Sequence, residues 1–225
     1  MPDGARHDGL TRPAPAGSRA AAGRHASSSG GGRAEPLRYV PYVSEIADRY
    51  ETVADAFGDR VAGIPAGGWR APSPCEEWQA RDIVVHVVNV HRQALAGLDG
   101  SDPSMVDVDD DLSPAWTEAT ATVRDALHDP DRATRMITGG PFGEQPFETL
   151  VSRVVCADTL VHTWDLARAT GQDERLDPDG VARATEFLVP LDDNLRRPGG
   201  FAAKIEPPAG ADAQTKLLNF AGRAV

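Results

Sequence analysis

The sequence predicts an all-α protein, on three observations. Apolar residues recur every three or four positions through five long stretches, the period of one face of a helix. The breaks between those stretches hold Pro, Gly and capping residues, which start and stop helices. Alternation at period two, the mark of half-buried strands, is nearly missing, and no internal repeat is visible.

The first 36 residues, "MPDGARHDGLTRPAPAGSRAAAGRHASSSGGGRAEP", have Leu10 as their only large aliphatic after Met1. They cannot bury enough apolar surface to offset the entropy of ordering them, so residues 1–36 are expected to be a disordered leader and residues 37–225 the folded domain. From Tyr42, the run Ile46, Tyr50, Val53, Ala54, Phe57, Val61 and Ile64 predicts a first amphipathic helix. The Pro-rich loop "PSPCEEW" leads into a second, with a stripe of Ile83, Val87, Val90, Ala94 and Leu98 ended by Gly97 and Gly100. After the acidic "DPSMVDVDDD", Ser113 as N-cap and Pro114 as first helical residue open a third through Trp116, Ala119, Val123 and Leu127.

Residues 129–146 carry too much Gly and Pro for a helix and allow a short extended piece at Met136–Thr138. A fourth helix starts near Phe147 and ends at Gly171, a good C-cap. Asp177-Pro178 opens a fifth, which Pro190 kinks or ends. The tail suggests an extended segment and a short last helix.

Composition narrows the function classes. The net charge is −11, and the first 36 residues hold five Arg against Asp3, Asp8 and Glu35, so the rest is more acidic than the whole. That disfavours nucleic acid and anionic membrane surfaces as partners. No run reaches the roughly 18 apolar residues of a membrane span. Two cysteines, Cys75 and Cys156, fit a reducing cytoplasm. Both read as structural.

Candidate chemistry lies with the histidines. His7 and His25 fall in the leader, and His128 at a helix C-terminus needs no more than the helix dipole to explain it. In "CADTLVHTWDLARATG", Asp158 and His162 stand one turn apart on an otherwise apolar helix, the spacing by which one helix offers two ligands to one divalent metal. Two ionisable groups in such surroundings are costly unless paired or metal-bound. A third ligand could come from the second helix, where His86 and His91 lie roughly 140° apart around the axis. Periodicity does not choose between them. Trp164 reads as a packing element, and Asp165 as a partner for a backbone amide or Arg168, or as a support for His162.

The segments "PSPCEEWQARDIVVHVV", "GPFGEQP", "DTLVHTWDLARATGQ" and "LLNFAGR" resemble, in this order, those of the mycothiol-dependent maleylpyruvate isomerase N-terminal-like proteins of the DinB/YfiT-like superfamily. The resemblance covers roughly residues 40–225. It implies a DinB-like four-helix bundle, here with an extra C-terminal helix and a short extended tail. It also implies a divalent metal, zinc by preference, held by one His of the second helix and an acid-x-x-x-His or His-x-x-x-His pair of a later one. His86 stands at the first position and Asp158 and His162 match the pair, with Asp where Glu is more familiar. His91 then becomes a pocket or supporting residue.

The function this implies is a metal-dependent enzyme that uses a low-molecular-weight thiol, mycothiol, for S-transfer or isomerisation of a small molecule. The partners expected are that substrate and the thiol, with the protein a monomer or homodimer. Isomerisation of maleylpyruvate itself is not carried over, because that enzyme has a separate C-terminal domain and the tail here does not supply one. Two alternatives share the site: metal-assisted hydrolysis or lyase chemistry through water, and a non-catalytic metal- or small-ligand-binding bundle.

Overall fold

The structure, a computed structural model, describes residues 45–138, 142–196 and 200–225. The expected leader at 1–36 and the start of the first helix at Tyr42 lie outside these. Four long helices make the framework: α1 (Glu45–Ala62), α2 (Ala80–Asp99), α3 (Leu112–His128) and α6 (Cys156–Thr170). Helix α1 packs on α3 and α6, and α2 packs on the same two, so the four close into a bundle with α1 diagonal to α2. Helix α7 (Pro178–Leu188) covers α6 from outside, and α9 (Ala213–Phe220) packs on α7. The all-α DinB-like bundle with an added C-terminal helix is the fold.

The expected stripes supply its core. Tyr50, Phe57 and Val61 of α1, Ile83, Val87 and Leu98 of α2 and Trp116, Val123 and Leu127 of α3 are all buried in one cluster. Burying each such side chain contributes about 1.5–3 kcal/mol, enough in sum to hold helices whose own propensity is modest. A second cluster joins Leu160 of α6 to Val181, Ala184 and Leu188 of α7 and Leu217 of α9.

Helix boundaries follow local chemistry. At the start of α2, Gln79 and Asp82 form a capping box, with the Gln79 N–H donating to Asp82 Oδ2 at 2.7 Å, and Gly100 ends the helix at φ 64°. Gly97 lies inside α2 rather than at its end. Helix α3 opens earlier than expected, with Asp111 as N-cap, so Ser113 is a helical residue. Asp177 caps α7 and Pro178 follows it as expected, while Pro190 falls in a 3-10 turn, Val189–Leu191, just past the α-helix. Short helices at Pro130–Ala133 (α4) and Asp192–Leu195 (α8) were not anticipated.

Strands β1 (Met136–Ile137) and β2 (Gln145–Pro146) pair antiparallel, the first where the extended piece was expected. The run from Phe147 to Gly171 is not one regular helix: α5 (Phe147–Leu150) passes through a π turn, Val151–Val155, into α6. Gly171 ends it at φ 72°.

Candidate metal centre

The loop "PSPCEEWQ" folds back on itself before α2. The Ser73 N–H donates to the Trp78 carbonyl at 3.0 Å, and Pro72 and Gln79 form an isolated antiparallel bridge. Glu77 takes a left-handed φ of 66°, uncommon for a residue with a Cβ, and the turn carries Trp78 over the next helices. The Trp78 ring lies 5.1 Å from His86 and stacks on His162 at 5.8 Å with 22° between planes.

Two turns into α2, His86 faces the first two turns of α6. His86 Nε2 lies 3.0 Å from Asp158 Oδ1, and His162 Nε2 lies 3.7 Å from the same oxygen. All three donor atoms fall within 4.8 Å of one another. Ligands on arms of about 2.1 Å at tetrahedral angles sit roughly 3.4 Å apart, and the two measured spacings bracket that value. The other carboxylate oxygen, Asp158 Oδ2, is buried with no hydrogen-bond partner. The three residues therefore fit a divalent cation in both donor chemistry and spacing, the Asp158 arm included.

Electrostatics bind the group together. Burial alone would raise the Asp158 pKa, but the charges of His86 and His162 and the His86 hydrogen bond hold it below the usual carboxylate value. Burial alone would lower that of His86, and Asp158 more than offsets it, leaving it raised.

Behind His162 stands a supporting chain. His162 Nδ1 lies 2.9 Å from Asp165 Oδ2, and the Asp165 side chain is fully enclosed. The approach is a close ion-pair contact and not an aligned hydrogen bond, and it leaves the Nε2 edge of the ring toward Asp158. Arg223 donates to Asp165 from Nε at 3.1 Å and from Nη2 at 2.8 Å. Cys75 Sγ lies 3.3 Å from Asp165 Oδ2 and 3.1 Å from Arg223 Nη2. Burial works against an ionised Asp165, yet the adjacent His162 and the bonds from Arg223 keep its pKa far below the ordinary value. Burial and then the Asp165 charge push the Cys75 thiol up to about 12, so it stays protonated at neutral pH.

The donor atoms open onto a cavity of about 890 Å³, walled by Trp78, Phe142, Phe187, Leu188, Leu195 and Phe201 on its apolar side, with Arg223 and Cys75 at its edge. A chamber of this size takes a drug-sized molecule.

Of the residues singled out from sequence, His86, Asp158 and His162 are brought together and Asp165 supports them. Asp165 does not pair with Arg168, which instead bonds Glu174 at 2.7 Å. His91 is not a pocket residue: it is fully buried in the core, against the Tyr50 and Trp116 rings at 5.8 and 4.9 Å. The cause is its place on α2, about 140° from His86, which turns it toward α1 and α3. His128 is an exposed helix-end histidine bonded to the Arg124 carbonyl at 2.8 Å. Sequence pattern alone assigns Trp78 and Arg223 no role, although they lie in the segments "PSPCEEW" and "LLNFAGR". A buried Asp on an apolar helix calls for a cation, and that was the available signal for Arg223.

An all-α bundle with one His from its second long helix and an Asp-x-x-x-His pair from a later one defines a DinB-like protein with a candidate metal centre. More narrowly, residues 50–167 match the family model of the mycothiol maleylpyruvate isomerase N-terminal domain, and the chain belongs to that family. His86, Asp158, His162 and Asp165 lie within the match, and Arg223 lies beyond it. Two uncharacterized proteins of Mycobacterium tuberculosis, from the strains CDC 1551 and H37Rv, are each 30% identical over 178 residues, 78% of this chain and 96% of theirs. No solved structure matches the chain. Among the described residues, no helix is long and apolar enough to cross a membrane.

Proposed function

We propose that the chain is a metal-dependent enzyme in which His86, Asp158 and His162 hold a divalent cation, zinc by preference, and mycothiol or a thiol like it serves in S-transfer to, or isomerisation of, a small molecule. The observation that carries this reading is the convergence of the two Nε2 atoms and Asp158 Oδ1 at the wall of a cavity large enough for a drug-sized molecule. A divalent cation at such a site supplies positive charge that lowers the pKa of a thiol toward neutrality.

The protein's own groups do the positioning. The Asp165 carboxylate, 2.9 Å from His162 Nδ1, orients the ring and keeps Nε2 turned to the cavity. Trp78 limits rotation of both imidazoles by stacking on one and leaning on the other. The side chains of Phe142, Phe187 and Phe201 line the cavity and offer an apolar surface to part of the substrate.

Both cysteines are free, and burial, with the Asp165 charge in the case of Cys75, raises each thiol to about 12. Neither is a ready nucleophile, so sulfur chemistry here draws on a thiol from outside. The reducing cytoplasm, where such thiols stay free, is the compartment this reading requires.

The test is calorimetry of mycothiol with metal-loaded protein, paired with cobalt substitution. Binding that is present in the wild type and lost in His86→Ala supports the reading. No heat and no thiol-dependent spectral change at millimolar thiol removes the thiol from it.

A further inference from the structure

His162 is shared by two sets of donor atoms. One is the His86, Asp158 and His162 set already described. The other is Cys75, Asp165 and His162, whose donor atoms also lie within 4.8 Å of one another. The second set is not open. The Arg223 guanidinium enters it, with Nη2 2.8 Å from Asp165 Oδ2 and 3.1 Å from Cys75 Sγ and with Nε 3.1 Å from Asp165 Oδ1.

The tail is built to deliver that charge. The Arg223 N–H donates to the Leu218 carbonyl at 2.9 Å, its carbonyl accepts from Asn219 Nδ2 at 2.9 Å, and Nη1 donates to the Ala221 carbonyl at 2.7 Å. Its side chain is 8% exposed, and that of Asp165 is fully buried. A fork of this kind satisfies a carboxylate bidentately, which a lysine's point charge does not.

We infer that Arg223 is the resident cation of a second, thiol-containing metal-ligand set, and that by filling it Arg223 commits His162 to the His86–Asp158 side. Without the guanidinium, Asp165, Cys75 and His162 Nδ1 form a soft Cys/His/Asp site suited to zinc or cobalt. A metal entering there displaces the Cys75 thiol proton to solvent and takes the lone pair of the nitrogen that faces Asp165, with the ring proton of His162 then on Nε2. Arg223 is thus a positioning residue that acts through Asp165 and, in the same place, a guard against misligation. The part concerning His86 and Asp158 rests on the function proposed above. The cryptic site does not.

Cobalt(II) titration of the full chain tests this, because thiolate ligation adds a sulfur-to-cobalt charge-transfer band in the near ultraviolet. Wild type is expected to lack the band, and Arg223→Ala to gain it. Cys75→Ser added to that variant should abolish it, and millimolar guanidinium, which can refill the gap, should suppress it. Should Arg223→Ala fail to fold by circular dichroism, Arg223→Leu keeps apolar volume without adding a sulfur donor, and the band and its loss on adding Cys75→Ser carry the test.

A band in wild type that Cys75→Ser removes would overturn the inference, as would a folded Arg223 variant without one. If wild type binds no cobalt but the variant shows the band, the site proposed at His86 falls, and with it the commitment of His162 to that side, while the cryptic site stands.

Discussion

The ring of His91 is enclosed between Tyr50 and Trp116, with Nδ1–H donating to the Val87 carbonyl at 2.8 Å and Nε2 buried without a partner. Burial lowers its pKa from 6.5 to about 4, so the folded protein keeps it neutral where the unfolded chain would protonate it. The unfolded state then binds the extra proton between those two values. Stability is whole above about pH 6.5 and falls as the pH drops toward 4, by on the order of 3 kcal/mol from this group. In His91→Gln the decline of the urea midpoint between pH 6.5 and 4.5 should be clearly shallower; an unchanged slope would contradict the assignment.

His91→Ala should cost roughly 2–4 kcal/mol through the cavity it leaves, measured by urea unfolding, while metal content stays at the wild-type level. The sequence placed Asp158 and His162 on one face from spacing alone. It left His86 and His91 undecided because both lie at the edges of the α2 stripe, and the family resemblance chose between them. Arg223 escaped because its partner Asp165 is 58 residues away and nothing local ties the two together.

At the scale of elements, the last turn of the chain is as specific as the helices. Gly222 adopts φ 81°, and a Cβ built there would meet the Ala203 carbonyl oxygen at 2.9 Å and the Ala202 backbone at 3.0 Å. Gly222→Ala should therefore cost about 1–3 kcal/mol, read as a lower urea midpoint, and loosen the delivery of Arg223 to Asp165. Unchanged stability would mean that the tail is held less tightly than its contacts imply.

The long helices were legible because their buried faces repeat at 3.6 residues. The π turn at Val151–Val155 was not, since one widened turn leaves the apolar pattern almost intact while shifting the register of the α6 residues beyond it. Helix α6 is buried on nearly every side, lying against α1, α2 and α7, so its sequence carries a weak stripe and its polar residues stand out instead.

For the whole molecule, the bundle brings α2 and α6 together so that side chains 72 residues apart meet at 3.0 Å. Fold class and the Asp158–His162 pair were readable in the chain, and His86 came with the family resemblance. The cavity was not, because Trp78, Phe142, Phe187 and Phe201 come from four separate segments that only the closed fold assembles. Residues 1–36 lack an apolar period, and removing them should leave the melting temperature unchanged within error; a fall of several degrees would contradict that expectation.

The central claim is that His86, Asp158 and His162 hold one cation, and elemental analysis after equilibration with zinc and removal of excess metal tests it most directly. Wild type and His128→Ala, altered at an exposed histidine of α3, should each carry one equivalent, while His86→Ala and His162→Ala should carry close to none with their helical circular dichroism retained. Full occupancy in both of those variants would contradict it.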